Sequence, residues 1–283
     1  NEIKGTTLDI EKTKEVIKTA LKEWRFSVNL EESGCYIGAE YTDKKMLEKQ
    51  AATLNQMQDT ILTYDFGDKK ETVDKDLIYS EFVDDGQINR NKVIDWVSEL
   101  SDKYDTVGKE RKFVTYDERI VSITGGDYGW KIDVEKTAEE LIKLMEAGTI
   151  DVIEPVYEQT ALSRSSNDLS FSYLEIDSKS KTIVLYKEGK PIMQTTADFG
   201  EQMEHGCFKV SSFERETDGM EYFIGFGRNG VYKFNPDDIP LVYSEEKDNG
   251  IRPRCAAISE KTANLLFQEL KQDWPCLLYT SDA

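Results

Sequence analysis

Between Leu8 and Trp24 apolar residues return at helical spacing, so that Ile10, Ile17, Leu21 and Trp24 fall on one face. The phrase comes back later in the chain. Leu8-Asp9-Ile10-Glu11-Lys12-Thr13 recurs as Ile132-Asp133-Val134-Glu135-Lys136-Thr137, and Val134, Ala138, Leu141 and Met145 make the second apolar face. Asp9 and Asp133 stand where an N-cap carboxylate would accept a free backbone N–H. An extended segment follows each helix, at Phe26 to Leu30 and at Thr149 to Ile153. This is the helix-then-strand unit of small α+β domains; two widely spaced copies do not make a solenoid.

Between the copies the pattern predicts a strand over Thr60 to Phe66 and a helix over Asn89 to Tyr104, with Val93, Trp96, Val97 and Leu100 on one side. Two more strands are expected at Phe113 to Tyr116 and Arg119 to Ile123. Gly125-Gly126-Asp127-Tyr128-Gly129-Trp130 then leads into the second repeat helix. A glycine loop before a helix can hold a phosphate, but this one lacks both GxGxxG and the Lys-Ser/Thr of a P-loop, which favours a plain turn. The polar stretch Ala161 to Asp168 reads as a boundary. Beyond it the pattern turns β-rich: Tyr173 to Asp177, Thr182 to Lys187, a tight turn at Glu188-Gly189, and Pro191 to Thr195. Short strands follow at Cys207 to Ser211, Tyr222 to Ile224, Gly230 to Lys233 and Pro240 to Tyr243. Ser259 caps a last helix, Glu260 to Gln272, with Ala263, Leu266, Phe267 and Leu270 on its face. The expected class is α+β: a partial repeat at 1–52, an α+β domain at 53–162, and a mainly β domain with a C-terminal capping helix at 169–283.

Composition narrows the partners. A formal net charge of -19 argues against nucleic acid and against electrostatic binding to an anionic surface. No stretch approaches the roughly 20 apolar residues of a membrane span. The chain opens on Asn1-Glu2-Ile3, without initiator Met or signal peptide, which reads as a fragment. Its end, Cys276 to Ala283, resembles the translation of a transposon adapter from sequencing libraries and stands outside the functional argument. Cys35, Cys207 and Cys255 remain, scattered and without a CxxC pair, and there is one histidine, His205. Counting therefore excludes a zinc site and a two-histidine catalytic site, and no cofactor or metal is expected. Asp84-Asp85-Gly86 and Asp237-Asp238 lack EF-hand spacing and read as turns. Glu245 to Asp248 reads as a solvated loop. Trp24, Trp96 and Trp130 read as core or domain-packing residues.

The hairpin Tyr173-Leu174-Glu175-Ile176-Asp177 with Thr182-Ile183-Val184-Leu185-Tyr186-Lys187-Glu188-Gly189-Lys190 resembles the opening of the L,D-transpeptidase (YkuD-type) domain. Cys255-Ala256-Ala257-Ile258-Ser259 and the helix after it resemble that family's segment from the nucleophilic cysteine into its last helix. The upstream repeat, with Gly125 to Glu139, resembles the peptidoglycan-binding domain often placed before it. The resemblance implies a bacterial, extracytoplasmic protein of the cell wall or cell surface. Membrane contact would come only through an anchor upstream of this fragment. Its partners would be peptidoglycan stem peptides. In the family a cysteine thiolate attacks the stem peptide, D-Ala leaves, and an amine of a neighbouring stem takes the acyl group. A histidine supplies the thiolate and moves the proton.

The chain departs from the family at that histidine. Gly250-Ile251-Arg252-Pro253-Arg254 precedes Cys255 in place of Ser-His-Gly, and Gly230-Val231-Tyr232 puts Tyr232 where the other histidine belongs. A phenol is a poor base at neutral pH. Arg252 and Arg254 can lower a thiol pKa but cannot take a proton. His205-Gly206-Cys207 imitates part of the signature, but no helix follows it, so His205 reads as a surface residue and Cys207 as a half-buried thiol. Three readings stay open: a catalytically degenerate wall protein, an active L,D-transpeptidase forming a Cys255 acyl-enzyme, and a purely structural surface module.

Overall fold

The computed structural model describes residues 7–37, 44–164, 168–233 and 251–280. The expected strand at 240–243, the acidic turns at 237–238 and 245–248, and Gly250 lie outside the described residues. The first part of the chain holds α1 (Ile10–Lys22), α2 (Lys44–Met57), β1 (Ile61–Asp65), β2 (Lys70–Asp74) and α3 (Lys75–Leu77), which runs into a wide helical turn at Ile78–Phe82. The hairpin β3 (Val83–Asp84) and β4 (Gln87–Ile88) leads to α4 (Arg90–Tyr104). Next come β5 (Arg111–Val114), β6 (Ile120–Ile123), β7 (Lys131–Ile132), α5 (Val134–Glu146), β8 (Ile150–Ile153) and β9 (Tyr157–Gln159).

The core of this part follows from two capped helices and a small sheet. The Asn89 side chain accepts the backbone N–H groups of Asn91 and Lys92, which starts α4 and sets Val93, Val97 and Leu100 inward. Asp133 does the same for α5 through Lys136, and Ala138, Leu141 and Met145 are buried. Both helices pack on one face of the sheet β2-β1-β8, in which β1 runs parallel to β8 and antiparallel to β2. Alternation along β1 sends Leu62 and Tyr64 into this core. The first repeat helix behaves differently. α1 forms with Asp9 as its cap, but its apolar face is open to solvent, and Trp24 lies beyond the helix end at 79% exposure. Trp24 is thus no packing residue, and Phe26 to Leu30 form no strand, since no strand among the described residues pairs with them.

The C-terminal domain is one nine-stranded sheet. Its strands are β10 (Tyr173–Asp177), β11 (Thr182–Lys187), β12 (Lys190–Thr196), β13 (Asp198–Phe199), β14 (Gly206–Thr217), β15 (Met220–Phe226), β16 (Asn229–Lys233), β17 (Cys255–Ile258) and β18 (Pro275–Tyr279). Their order across the sheet is β12-β11-β10-β18-β14-β15-β16-β17-β13. The pairs β10–β18 and β16–β17 are parallel. The helix α6 (Glu260–Glu269), capped by Ser259, lays Ala263 and Leu266 against a core of Leu174, Ile224, Val231 and Ala256. The adapter-like tail supplies β18, a buried strand between β10 and β14. Cys276 and Leu278 face this core, while Leu277 and Tyr279 face the other side.

That other side is the joint with the first part. Phe113, Val121, Ile123 and Tyr128 meet Cys207 and Leu277 there. The glycine loop is the latch. Cys207 donates its N–H to the Gly125 carbonyl at 3.1 Å, Tyr128 donates to the Cys207 carbonyl at 3.1 Å, and Lys209 donates its N–H to the Asp127 carboxylate at 2.7 Å. A Cβ on Gly126 would lie 1.9 Å from the Cys207 carbonyl oxygen, so this turn is glycine because backbone meets backbone. The boundary segment is pinned as well. Buried Arg111 holds buried Asp168 through two hydrogen bonds, 2.7 and 2.8 Å, and spends its other donors on the carbonyls of Thr106, Lys109 and Tyr128.

Candidate active site

Cys255 opens β17, which runs parallel to β16. Gly230 stands opposite Cys255, Val231 opposite Ala256, and Tyr232 opposite Ala257. The pleat therefore separates the side chains. Val231, Ala256 and Ile258 point into the domain core, while Tyr232, Cys255 and Ala257 share the opposite face with Met220, Phe223 and Ile251. Tyr232 is one diagonal step from Cys255 across the two strands. Gly230 makes room for this cluster: a Cβ there would sit 2.3 Å from the Phe223 ring. The ring reaches that point because β15 breaks register between Glu221 and Ile224, where Tyr222 adopts φ +52°.

A second backbone contact holds the segment before the sulfur. Gly200 donates its N–H to the Cys255 carbonyl at 2.9 Å, and Gln202 donates to the Pro253 carbonyl at 2.8 Å. A Cβ on Gly200 would lie 2.2 Å from the Arg252 carbonyl oxygen, which explains the glycine. Cys255 donates its own N–H to the Arg252 carbonyl at 2.9 Å, and Gly230 donates to the Arg254 carbonyl at 3.1 Å. Main chain on both sides thus fixes the backbone path from Arg252 to Cys255.

Burial dominates the electrostatics of the thiol. Burial pushes Cys255 up to about 11, opposed only by the charge of Arg252. Burial also raises the Tyr232 phenol, and the neighbouring thiol adds to the rise; the Arg252 backbone N–H and charge pull the other way. The two arginines have separate fates. The Arg252 guanidinium hydrogen-bonds the Asp218 carbonyl. Arg254 pairs with Glu204 and holds that carboxylate below its usual range, with Arg228 3.7 Å from the same oxygen. The Asn229 side-chain amide fastens the main chain of Glu204, its Oδ1 accepting the Glu204 N–H at 2.9 Å and its Nδ2 donating to the Glu204 carbonyl at 3.0 Å. The exposed His205 has its Nε2 3.2 Å from the Ser178 hydroxyl. Cys207 is fully buried, not half-buried, and burial raises its thiol to about 12. The arrangement puts a sulfur and a phenol on one face of two adjacent strands.

Residues 42–153 match the family model described as "Putative peptidoglycan binding domain". Among solved structures, the Ldtfm-avibactam carbamoyl enzyme is 21% identical at a TM-score of 0.63, covering 83% of this chain and 99% of its own. A cysteine-to-serine mutant of the Enterococcus faecium L,D-transpeptidase is 19% identical at a TM-score of 0.62, covering 82% of this chain and 100% of its own. No curated protein matches the chain. The chain has the L,D-transpeptidase fold. The α+β class and its order, helical module first and mainly β domain second, agree with that fold. The domain match points to peptidoglycan as the partner and to the cell wall as the place of action. No helix among the described residues is long and apolar enough to cross a membrane.

Within the L,D-transpeptidase fold, sequence reasoning named Cys255, Tyr232, Arg252 and Arg254. The structure brings Cys255, Tyr232 and Arg252 together and turns Arg254 to Glu204. It missed Gly200, Phe223 and Glu204. Glycines at 200 and 230 carry a signal only once a strand register is known, and Glu204 reads as one more surface acid in a chain with many.

Proposed function

We propose that this is a cell-wall-associated L,D-transpeptidase-family protein whose C-terminal domain engages peptidoglycan stem peptides at Cys255 without cross-linking them efficiently. One observation carries the reading: Cys255 and Tyr232 share a face on adjacent parallel strands, where burial raises the thiol and disfavours its thiolate. Nucleophilic catalysis by cysteine needs thiolate, and a group to pass the proton to the leaving amine. Arg252 supplies charge but no base. The chain's single histidine is engaged with Ser178. A stem peptide would therefore be bound by a face that retains the shape for acyl transfer and lacks the means of moving the proton. The domain at 42–153 would hold the protein on the polymer, and any membrane anchor would lie upstream of Asn1.

The test is intact-mass measurement after incubation with a tetrapeptide stem and, separately, a carbapenem. The expected result is no stoichiometric adduct within minutes at neutral pH, together with saturable binding to purified sacculi. A rapid adduct that disappears in Cys255→Ala would establish an active transpeptidase instead. Failure to bind sacculi would leave the purely structural reading.

A further inference from the structure

The repeat noted in the sequence is also a repeat of hydrogen bonds. Asp9 donates its N–H to the Cys35 carbonyl at 2.8 Å, and Asp133 donates to the Val156 carbonyl at 2.8 Å. Each carboxylate caps the residue three places on, Lys12 at 3.0 Å and Lys136 at 3.1 Å. The helices also end alike. Arg25 donates to the Ala20 carbonyl at 2.8 Å and Thr149 to the Leu144 carbonyl at 3.1 Å, with a left-handed residue at Trp24 (φ +54°) and at Gly148 (φ +63°). Residues 8–25 therefore correspond to 132–149 without insertion or deletion.

The difference lies in what covers them. Leu141 and Met145 of α5 are 0% exposed, under α4 and β1; their counterparts Ile17 and Leu21 are 44% and 69% exposed. Charge follows the same logic. Arg90, in the first turn of α4, bridges Glu135 at 2.7 Å and Glu139 at 3.1 Å. The counterparts of these acids are Glu11 and Glu15, both exposed, and among the described residues Glu11 pairs with its near neighbour Lys14 at 2.9 Å. Gly148 cannot carry a Cβ, which would sit 2.5 Å from the Gln56 carbonyl oxygen at the end of α2; at Trp24 a large side chain fits and stands in solvent. The Thr137 hydroxyl donates to the Val156 carbonyl and accepts its N–H, at 3.2 and 3.0 Å. The hydroxyl of its counterpart Thr13 is buried and has no hydrogen-bond partner among the described residues.

We infer that α1 is the closing helix of a second module like the one at 42–153. Its open face seats a helix-and-strand half built like residues 61–104, supplied by polypeptide that precedes Leu8. The order of elements around α5 gives the direction, since everything that covers α5 from 54 to 104 comes before it in the chain. The partner's chemistry follows from the face: a helix with an aliphatic stripe spaced like Val93, Val97 and Leu100, and a basic residue in its first turn to lie between Glu11 and Glu15. The inference does not depend on the chemistry at Cys255.

The test is a full-length chain with a second copy of residues 44–131 inserted directly before Leu8, followed by amide hydrogen exchange. Exchange across 10–25 should slow by about 100-fold relative to the parent chain, as expected when an open helix joins a cooperative core. Leu21→Asp in the inserted chain should abolish the slowing and leave α5 unchanged. Exchange across α1 that stays at the parent rate would overturn the inference. So would protection of α1 in the parent chain that rises with protein concentration and is lost in Leu21→Asp, because the occupant would then be a second copy of this chain.

Discussion

The pH dependence of Cys255 alkylation tests the raised-thiol argument directly. Burial lifts this thiol from an ordinary 9.0 to about 11. At any pH well below both values its thiolate fraction is roughly 100-fold smaller than that of an unperturbed cysteine. Each thiolate is more nucleophilic in return; a Brønsted coefficient of about 0.4–0.5 restores roughly six- to tenfold. The net expectation is alkylation by iodoacetamide about 10- to 15-fold slower than for a reference cysteine peptide, before any further slowing from restricted access. The slope separates the two causes. Restricted access lowers the rate equally at every pH, whereas a raised pKa keeps log rate climbing with unit slope from about pH 7 to about pH 10. Arg252→Gln should lower the rate further across that range, because this guanidinium is the one charge that favours the thiolate. Intact-mass kinetics with Cys255→Ala as control assigns the signal, since the other three cysteines are also buried. A plateau below about pH 9 would show that the thiolate forms readily and would refute the argument.

Tyr232→His places an imidazole one diagonal step from Cys255 on the same face; adduct formation with a carbapenem should rise at least tenfold near neutral pH, and an unchanged rate would mean that the missing base is not what limits the site. Asp168→Ala leaves Arg111 buried without its partner and should cost about 3–5 kcal/mol by denaturant titration, with faster proteolysis in 161–168. Glu175 lies buried on β10, raised first by desolvation, with Oε2 unpartnered and Oε1 taking the Tyr116 N–H and the Tyr279 hydroxyl. A raised folded pKa means that its contribution is fully present below the unfolded value near 4.5 and is lost as pH rises through the folded value. Glu175→Gln should therefore raise Tm at neutral pH, and the gap to wild type should close as pH falls toward 4.5; a gap that widens on acidification contradicts the burial argument.

The legible parts of the sequence were those where period and punctuation agree. α5 reads from Asp133 to Gly148 because a cap, an apolar face and a left-handed stop all coincide, and β11 and β12 read from alternation around the turn at Glu188-Gly189. α2 did not read as a helix because, among its described side chains, Met57 is the one fully buried and the apolar stripe is sparse. β18 was set aside on the likeness of its letters to an adapter, although Pro275–Tyr279 is apolar enough for a strand buried on both faces. The glycine loop was legible as a turn but not as a latch, since its partner Cys207 lies far along the chain. The site was half legible. Cys255 and Tyr232 could be named from spacing, but their common face depends on a parallel register that no local pattern encodes. The direction of Arg254 depends on Glu204, another long-range neighbour.

The site is held by its backbone more than by its side chains. Four main-chain hydrogen bonds and two glycines that admit no Cβ set the path from Arg252 to Cys255, and none of them involves a base. The features that place the sulfur are therefore independent of those that would activate it. The raised pKa of Cys255 comes from burial of the thiol on the face it shares with Met220, Phe223 and Ile251. Activation would have to come from a group added to the same face, or from a ligand whose binding displaces the apolar side chains of Met220, Phe223 and Ile251. The second route predicts that occupancy of this face and reactivity of the thiol rise together, and it makes binding the controlling step at this site.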